Sequence, residues 1–287
     1  MFLDNFKRLN WIVLVIFLCC NLNATEKLLA LKRLKAAYPN QIQVVLEHLI
    51  VWADGTCMPI GKSDPSKSII DKMNEPCLAD QLEQPTYIVG KPTYEPKDDP
   101  GRIRYEPFFR KMYGNSPNEV EANLEKIAWM PRVFGSGACT LRVTKINNIN
   151  EKIKRISEEL EELVCRHPEY VSFLNNPGGT YCWRNIANTN RLSNHSFGMT
   201  LDINASQSQY WQWDLKNENH IVSEDAKLKY RNTVPREIVE IFEKYGFIWG
   251  GKWYHYDTMH FEYRPELMNS LMPTRCKVLS FSVMQNN

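Results

Sequence analysis

Apolar residues recur at helical spacing in four stretches of the chain and alternate with polar ones in several shorter runs. Leu28, Leu29, Leu31 and Leu34 predict an amphipathic helix over 25–40. The run from Val44 to Trp52 reads as one strand that ends at the turn Ala53–Thr56. Residues 57–104 are rich in Pro, Asp, Lys and Gly and predict long loops. Ser116-Pro-Asn-Glu opens a second predicted helix, 117–128, with Val120, Leu124 and Ile127 on one face. Leu141 and Val143 mark a strand over 141–145. Ile153, Ile156, Leu160, Leu163 and Val164 predict a long helix over 150–167. A last helix, 235–245, has Pro235 in its first turn and Gly246 just past its end.

Two short alternating runs stand apart from these. In Met199–Asn204, Thr200, Asp202 and Asn204 share one face, while Leu201 and Ile203 take the other. In Met259–Tyr263, His260 and Glu262 share a face opposite Met259, Phe261 and Tyr263. Side by side, such strands have an apolar back and a polar front. The expected fold class is therefore α+β: a small antiparallel sheet, with helices 150–166 and 235–245 packed behind it.

Composition narrows the partners. Lys plus Arg total 35 against 33 for Asp plus Glu, a formal charge of +2. No dense basic face argues for nucleic acid. At the N-terminus, Lys7 and Arg8 precede the apolar run Trp11–Leu18, with Leu22 and Ala24 beyond it. That order predicts a secretory signal over 1–24, too short in its apolar part to leave a membrane span in the mature chain. Lipid attachment at Cys19 or Cys20 is disfavoured, because Leu18 and Cys19 stand where a small residue is wanted. The protein is expected to be exported, to a periplasm or cell surface.

Six cysteines then remain: Cys57, Cys77, Cys139, Cys165, Cys182 and Cys276. In an exported chain they permit up to three disulfides, and Cys57 with Cys77 is the preferred local pair. No Cys-x2-Cys spacing points to a cysteine-held metal.

The chemistry lies in two segments, Ser193-Asn-His-Ser-Phe-Gly-Met-Thr-Leu-Asp202 and Asp257-Thr-Met-His-Phe-Glu262. His195, Asp202 and His260 are the neutral or anionic N/O donors that an open zinc site takes. Asp202 and His260 project from facing strands, and His195 arrives on the loop before the first, where Gly198 allows the turn. A zinc ion so held lowers the pKa of a bound water toward about 7 and polarises a peptide carbonyl. Asp257, three residues before His260, is the candidate general base. Glu262 is placed to orient a ligand imidazole. His255 is read as supporting or exposed. His48, His167 and His220 sit in no comparable setting. The aromatics of Tyr210-Trp-Gln-Trp213 suit a groove floor but equally suit packing.

His195–Asp202, Gly246–Trp253 and Asp257–Glu262 together resemble the VanY-type zinc peptidases, the D-alanyl-D-alanine carboxypeptidases and L-alanyl-D-glutamate endopeptidases of peptidoglycan. The resemblance covers roughly 178–268. It implies Zn²⁺ on His195, Asp202 and His260, Asp257 as base, and the peptidoglycan stem peptide as substrate. It also implies substrate-binding roles for Ser193, in the family's Ser-x-His-x2-Gly pattern, and for Arg184. A guanidinium also suits a carboxylate-bearing peptide on chemical grounds alone. Thr200 departs from the usual Ala, and Asp257 from the Glu of many members, as in the endopeptidase branch. Endopeptidase activity is the preferred expectation. The alternatives are carboxypeptidase activity or a non-catalytic zinc-containing binding domain. The chain then divides into an N-terminal extension (25–130), a catalytic domain (131–270) and a tail (271–287).

Overall fold

The computed structural model describes residues 26–90, 99–218 and 220–271. The expected signal at 1–24, Cys276 and all but the first residue of the tail lie outside the described residues. Among the described residues, no helix is long and apolar enough to cross a membrane.

The architecture is mixed, with helices around three small antiparallel sheets. The helix over 26–37 buries Ala30, Leu31, Leu34 and Ala37 but leaves Leu28 exposed, one step off the expected stripe. What reads as one strand over 44–52 is a hairpin. Strand β1 (Ile42–Val45) and strand β2 (Leu49–Trp52) pair antiparallel, and strand β3 (Cys57–Pro59) adds to the other edge of β2. Val44 and Leu46 end up exposed, so the unbroken apolar run gave no sign of the reversal. The loop-rich stretch 57–104 also contains two short helices, Ile69–Asn74 and Leu78–Leu82.

The helix predicted over 117–128 stops early. Ser116 caps Pro117–Ala122 by accepting the Glu119 N–H, and after Asn123 the chain becomes strand β4 (Leu124–Ala128). All five residues of β4 pair with strand β5 (Thr140–Thr144), Ile127 opposite Leu141. Leu124 and Ile127 fit a helical period, but pairing with a partner further along the chain overrides that local preference. This hairpin straddles the residue-130 boundary between the expected extension and catalytic domain.

Strand β6 (Thr200–Asp202), strand β8 (His260–Tyr263) and strand β7 (Phe247–Trp249) form the third sheet, in the order β6-β8-β7. Its apolar back packs on the Arg236–Lys244 helix, where Phe242 stacks on Phe261 at 3.9 Å between ring centres. The Ile149–Arg166 helix buries Ile153, Ile156, Leu160, Leu163 and Val164 in the same core. The α+β expectation and the helices behind the sheet agree with this arrangement.

The cysteine expectation does not hold. All five described cysteines are free. Cys57 is exposed on β3 opposite Val51, whereas Cys77 heads the Leu78–Leu82 helix, against Gly61, with its N–H donated to Asp80.

Gly198 is held at φ +64°, in the left-handed region, at the end of the Asn194–Phe197 turn. A Cβ there would lie 2.6 Å from Leu124 Cδ2. Strain and crowding together predict that Gly198→Ala lowers folding stability by about 1–3 kcal/mol. Chemical denaturation checks this; an unchanged midpoint would show that the turn relaxes freely.

Candidate metal and catalytic site

The register of the third sheet sets Asp202 directly opposite His260 and Thr200 opposite Glu262. Opposed residues on one face of an antiparallel pair meet side chain to side chain. His195 comes from the Asn194–Phe197 turn beside them. Ser193 begins that turn, its hydroxyl accepting the His195 N–H at 3.3 Å, while the His195 carbonyl accepts from Gly198 and Cys182.

The hydrogen bonds define which nitrogens converge. His195 Nδ1 lies 3.2 Å from the Thr180 carbonyl, which can only accept, so Nδ1 carries the proton and Nε2 presents a lone pair. That lone pair faces Asp202 Oδ2 at 3.2 Å. His260 Nε2 donates to Glu262 Oε2 at 3.1 Å, and its Nδ1 faces Asp202 Oδ1 at 3.0 Å. Both imidazoles are buried at 7% exposure, and both point at the two oxygens of one carboxylate. Facing lone pairs at such distances repel unless a proton or a cation lies between them. Without a cation, a proton serves on His260. Burial alone would lower the pKa of its imidazole, but the bonds to Asp202 and Glu262 outweigh this and raise it to about 10. Asp202 would be raised by burial, yet His195 and His260 hold it well below the usual carboxylate range.

These three residues offer ligand atoms all within 4.8 Å of one another, and the group could hold a metal ion. Two imidazoles and one carboxylate, each imidazole backed by an acceptor on its other nitrogen, are a donor set suited to a divalent transition metal.

Asp257 stands beside this cluster, its carbonyl accepting the His260 N–H at 3.2 Å. The loop bringing it there folds back on Gly250, whose carbonyl accepts the Asp257 N–H at 3.0 Å. A Cβ on Gly250 would lie only 2.7 Å from the Asp257 carbonyl oxygen, so the close approach needs glycine. Asp257 Oδ1 is buried without a hydrogen-bond partner among the described residues. Burial and the nearby Asp202 charge push the carboxyl up to about 6, although His260 pulls the other way. An ionised carboxylate with one buried, unpartnered oxygen has the chemistry that a proton acceptor beside this cluster would need.

The supporting layer was only partly visible in the chain. Glu262, fully buried, is clamped by Arg264 Nη1 at 2.7 Å and Arg104 Nη2 at 2.8 Å. Burial would raise its carboxyl, but the two arginines and His260 hold it well below its ordinary value. Arg264 also bonds Glu266 at 2.6 Å and the Gly101 carbonyl at 3.3 Å. Glu262→Gln should therefore weaken metal binding about 10–100-fold. It should also cost about 3–5 kcal/mol of stability by leaving Arg264 without one of its anions. Metal titration and denaturant unfolding check the two effects separately; a parent-like metal affinity would remove Glu262 from the site.

Other expected residues are placed as follows. His255 is buried and structural: its Nδ1 meets Asp99 Oδ2 at 2.5 Å, its N–H donates to Asp99 Oδ1 at 3.0 Å, and its Nε2 lies 3.1 Å from the Glu224 carbonyl. Arg184 is exposed, its guanidinium donating to the neighbouring Asn185 carbonyl at 3.4 Å. Trp211 is buried against Leu215 and Tyr256 while Trp213 is 43% exposed, so the 210–213 aromatics are split between packing and surface. Arg104 and Asp99 escaped the sequence reading, since nothing local marks them.

Residues 187–263 match the model of a family described as D-alanyl-D-alanine carboxypeptidase. No curated protein and no solved structure matches the chain.

Proposed function

We propose that this chain is a VanY-type zinc peptidase that hydrolyses an amide bond in the peptidoglycan stem peptide, a reading supported by the family match over residues 187–263. The observation that carries the proposal is the convergence of two imidazole lone pairs and the Asp202 carboxylate, with the unpartnered Asp257 oxygen beside them. His195 Nε2, His260 Nδ1 and Asp202 would hold Zn²⁺. When bound, the ion supplies Lewis acidity for the scissile carbonyl and brings the pKa of water toward about 7. Asp257 takes the proton from the attacking water and returns it to the leaving amine. Ser193 fixes the His195 backbone, and Arg184 lies on the surface where an outer part of the peptide can meet it. Glu262, anchored by Arg264 and Arg104, keeps the His260 proton on Nε2 and so leaves Nδ1 facing the site.

The preferred reaction is L-alanyl-D-glutamate endopeptidase cleavage, favoured by Asp rather than Glu at 257. The matched family's description favours the second reading, removal of a terminal D-alanine. Both substrates lie outside the cytoplasm, in keeping with an exported protein. Incubation with peptidoglycan, with and without a chelator, followed by mass spectrometry of the products, separates the readings. A new N-terminal D-glutamate supports the endopeptidase, and free D-alanine the carboxypeptidase. No cleavage by folded, zinc-loaded protein would move the assignment to a non-catalytic binding domain.

A further inference from the structure

Tyr210 lies directly opposite Asp257 in a short antiparallel bridge. The two bonds that close the bridge fall on either side of the pair. The Trp211 N–H donates to the Tyr256 carbonyl at 3.0 Å, and the Thr258 N–H to the Gln209 carbonyl at 2.9 Å. That pattern makes Tyr210 and Asp257 a non-hydrogen-bonded pair, the kind whose Cα atoms approach to about 4.5 Å and whose side chains stand closest on one face. The Thr258 hydroxyl, accepting the Gln209 N–H at 2.7 Å, locks the same register. One face of the bridge therefore carries the Asp257 carboxyl and the Tyr210 ring together, beside the metal-ligand cluster.

The ring is firmly placed. Its backbone is extended, at φ −134° and ψ 126°, and leads straight into the Trp211–Asn217 helix. Trp213 meets it edge-on at 5.5 Å between ring centres, and Trp211 at 6.2 Å. Burial and the Asp257 carboxylate push the Tyr210 hydroxyl well above the ordinary phenol range, against the pull of Arg102. The phenol thus keeps its proton and remains a donor. Among the described residues that proton has no acceptor, and Asp257 Oδ1 has no donor. A donor and an acceptor on paired side chains, neither satisfied by the other, leave a place for a group that bonds to both.

We propose that Tyr210 is a catalytic hydrogen-bond donor, its hydroxyl bonding the scissile carbonyl oxygen as that oxygen becomes negative. The inference rests on the hydrolase reading and deepens it by adding a residue to the reaction. As water adds to the carbonyl carbon, a C–O bond forms, the π pair moves onto the carbonyl oxygen and one water proton passes to Asp257. The pair then returns, the C–N bond breaks, and Asp257 gives its proton to the leaving amine. Tyr210 donates a hydrogen bond throughout and keeps its own proton. A donor fixed where charge builds up stabilises the tetrahedral species more than the bound substrate. Because Tyr210 and Asp257 share one bridge, backbone bonds register the donor against the base.

The test is Tyr210→Phe, which removes the hydroxyl and keeps the ring against Trp213. On a stem peptide, kcat should fall about 10²–10³-fold with KM within about threefold. Metal content and the thermal midpoint should match the parent. A phosphinate analogue of the same peptide carries a tetrahedral, anionic phosphorus centre in place of the scissile carbonyl. It should bind the metal-loaded variant more weakly by the factor that kcat/KM loses. If the phosphinate separates parent from variant in this way but neither protein cleaves the peptide, the donor stands and the hydrolase reading fails. Parent-like turnover by Tyr210→Phe, or an equal loss of affinity for the phosphinate and for the cleavable peptide, overturns the proposal.

Discussion

Asp257→Ala is expected to lower kcat by about 10²–10⁴-fold while the protein still takes up its metal ion. The proposed ligand atoms belong to His195, Asp202 and His260, and the hydrogen bonds that place them do not involve the Asp257 side chain. What the variant loses is the oxygen that burial has left without a partner. The same carboxyl sets the pH profile. Its pKa is raised to about 6, chiefly by burial. A base must be ionised, so kcat/KM should fall as pH drops through that region, and should be flat above it until another group titrates. A cation bound beside the carboxyl pulls its pKa down, so the acid limb should lie at or below about 6. A variant that turns over as fast as the parent would remove Asp257 from the mechanism. An acid limb that persists unchanged in the variant would assign it to another group.

His195→Ala should lose metal and activity together. His195 contributes one of two imidazoles, and the remaining pair, His260 and Asp202, already satisfy one another through the 3.0 Å contact. A proton suffices for that pair, so little drives a cation to stay. Metal content after dialysis should be close to zero where the parent remains loaded, and peptidoglycan cleavage should vanish with it. Full occupancy in the variant would mean that the ion sits elsewhere. The fold should survive, because His195 is held by its own backbone through Ser193, Gly198 and Cys182, and among the described residues its ring bonds only the Thr180 carbonyl outside the cluster.

The part of the site that was legible in the chain is the part built from local rules. Strand alternation puts Asp202 and His260 on polar faces, and a two-residue step puts Glu262 behind His260, with no knowledge of the fold required. Gly198 announces the turn that delivers His195. The same rules failed wherever a distant partner decides. Leu124 and Ile127 satisfy a helical period and still form a strand, because Leu141 and its neighbours offer a ladder. His255 reads as an ambiguous loop residue until Asp99, 156 positions earlier, is found bonded to it. Arg104 meets Glu262 across 158 positions, and Tyr210 comes opposite Asp257 through a bridge that no local pattern announces. The expected Cys57–Cys77 bridge failed for a related reason: nearness in sequence said nothing about where their side chains stand.

The short segment 99–104 crosses the front of the third sheet and is fastened there many times over. Asp99 holds His255, Pro100 accepts the Trp253 indole N–H at 2.7 Å, Gly101 accepts from Arg264, and Arg104 grips Glu262. All four anchor points lie between Trp253 and Arg264, the stretch that contains Asp257 and His260. Folding of the N-terminal half and affinity for the ion are thereby thermodynamically linked. Whatever loosens that crossing segment taxes the grip on the cation, and an ion in place repays part of the entropy of ordering the segment. Segment 187–263 carries the proposed ligands and base, but the contacts that keep them aligned extend into the longer chain.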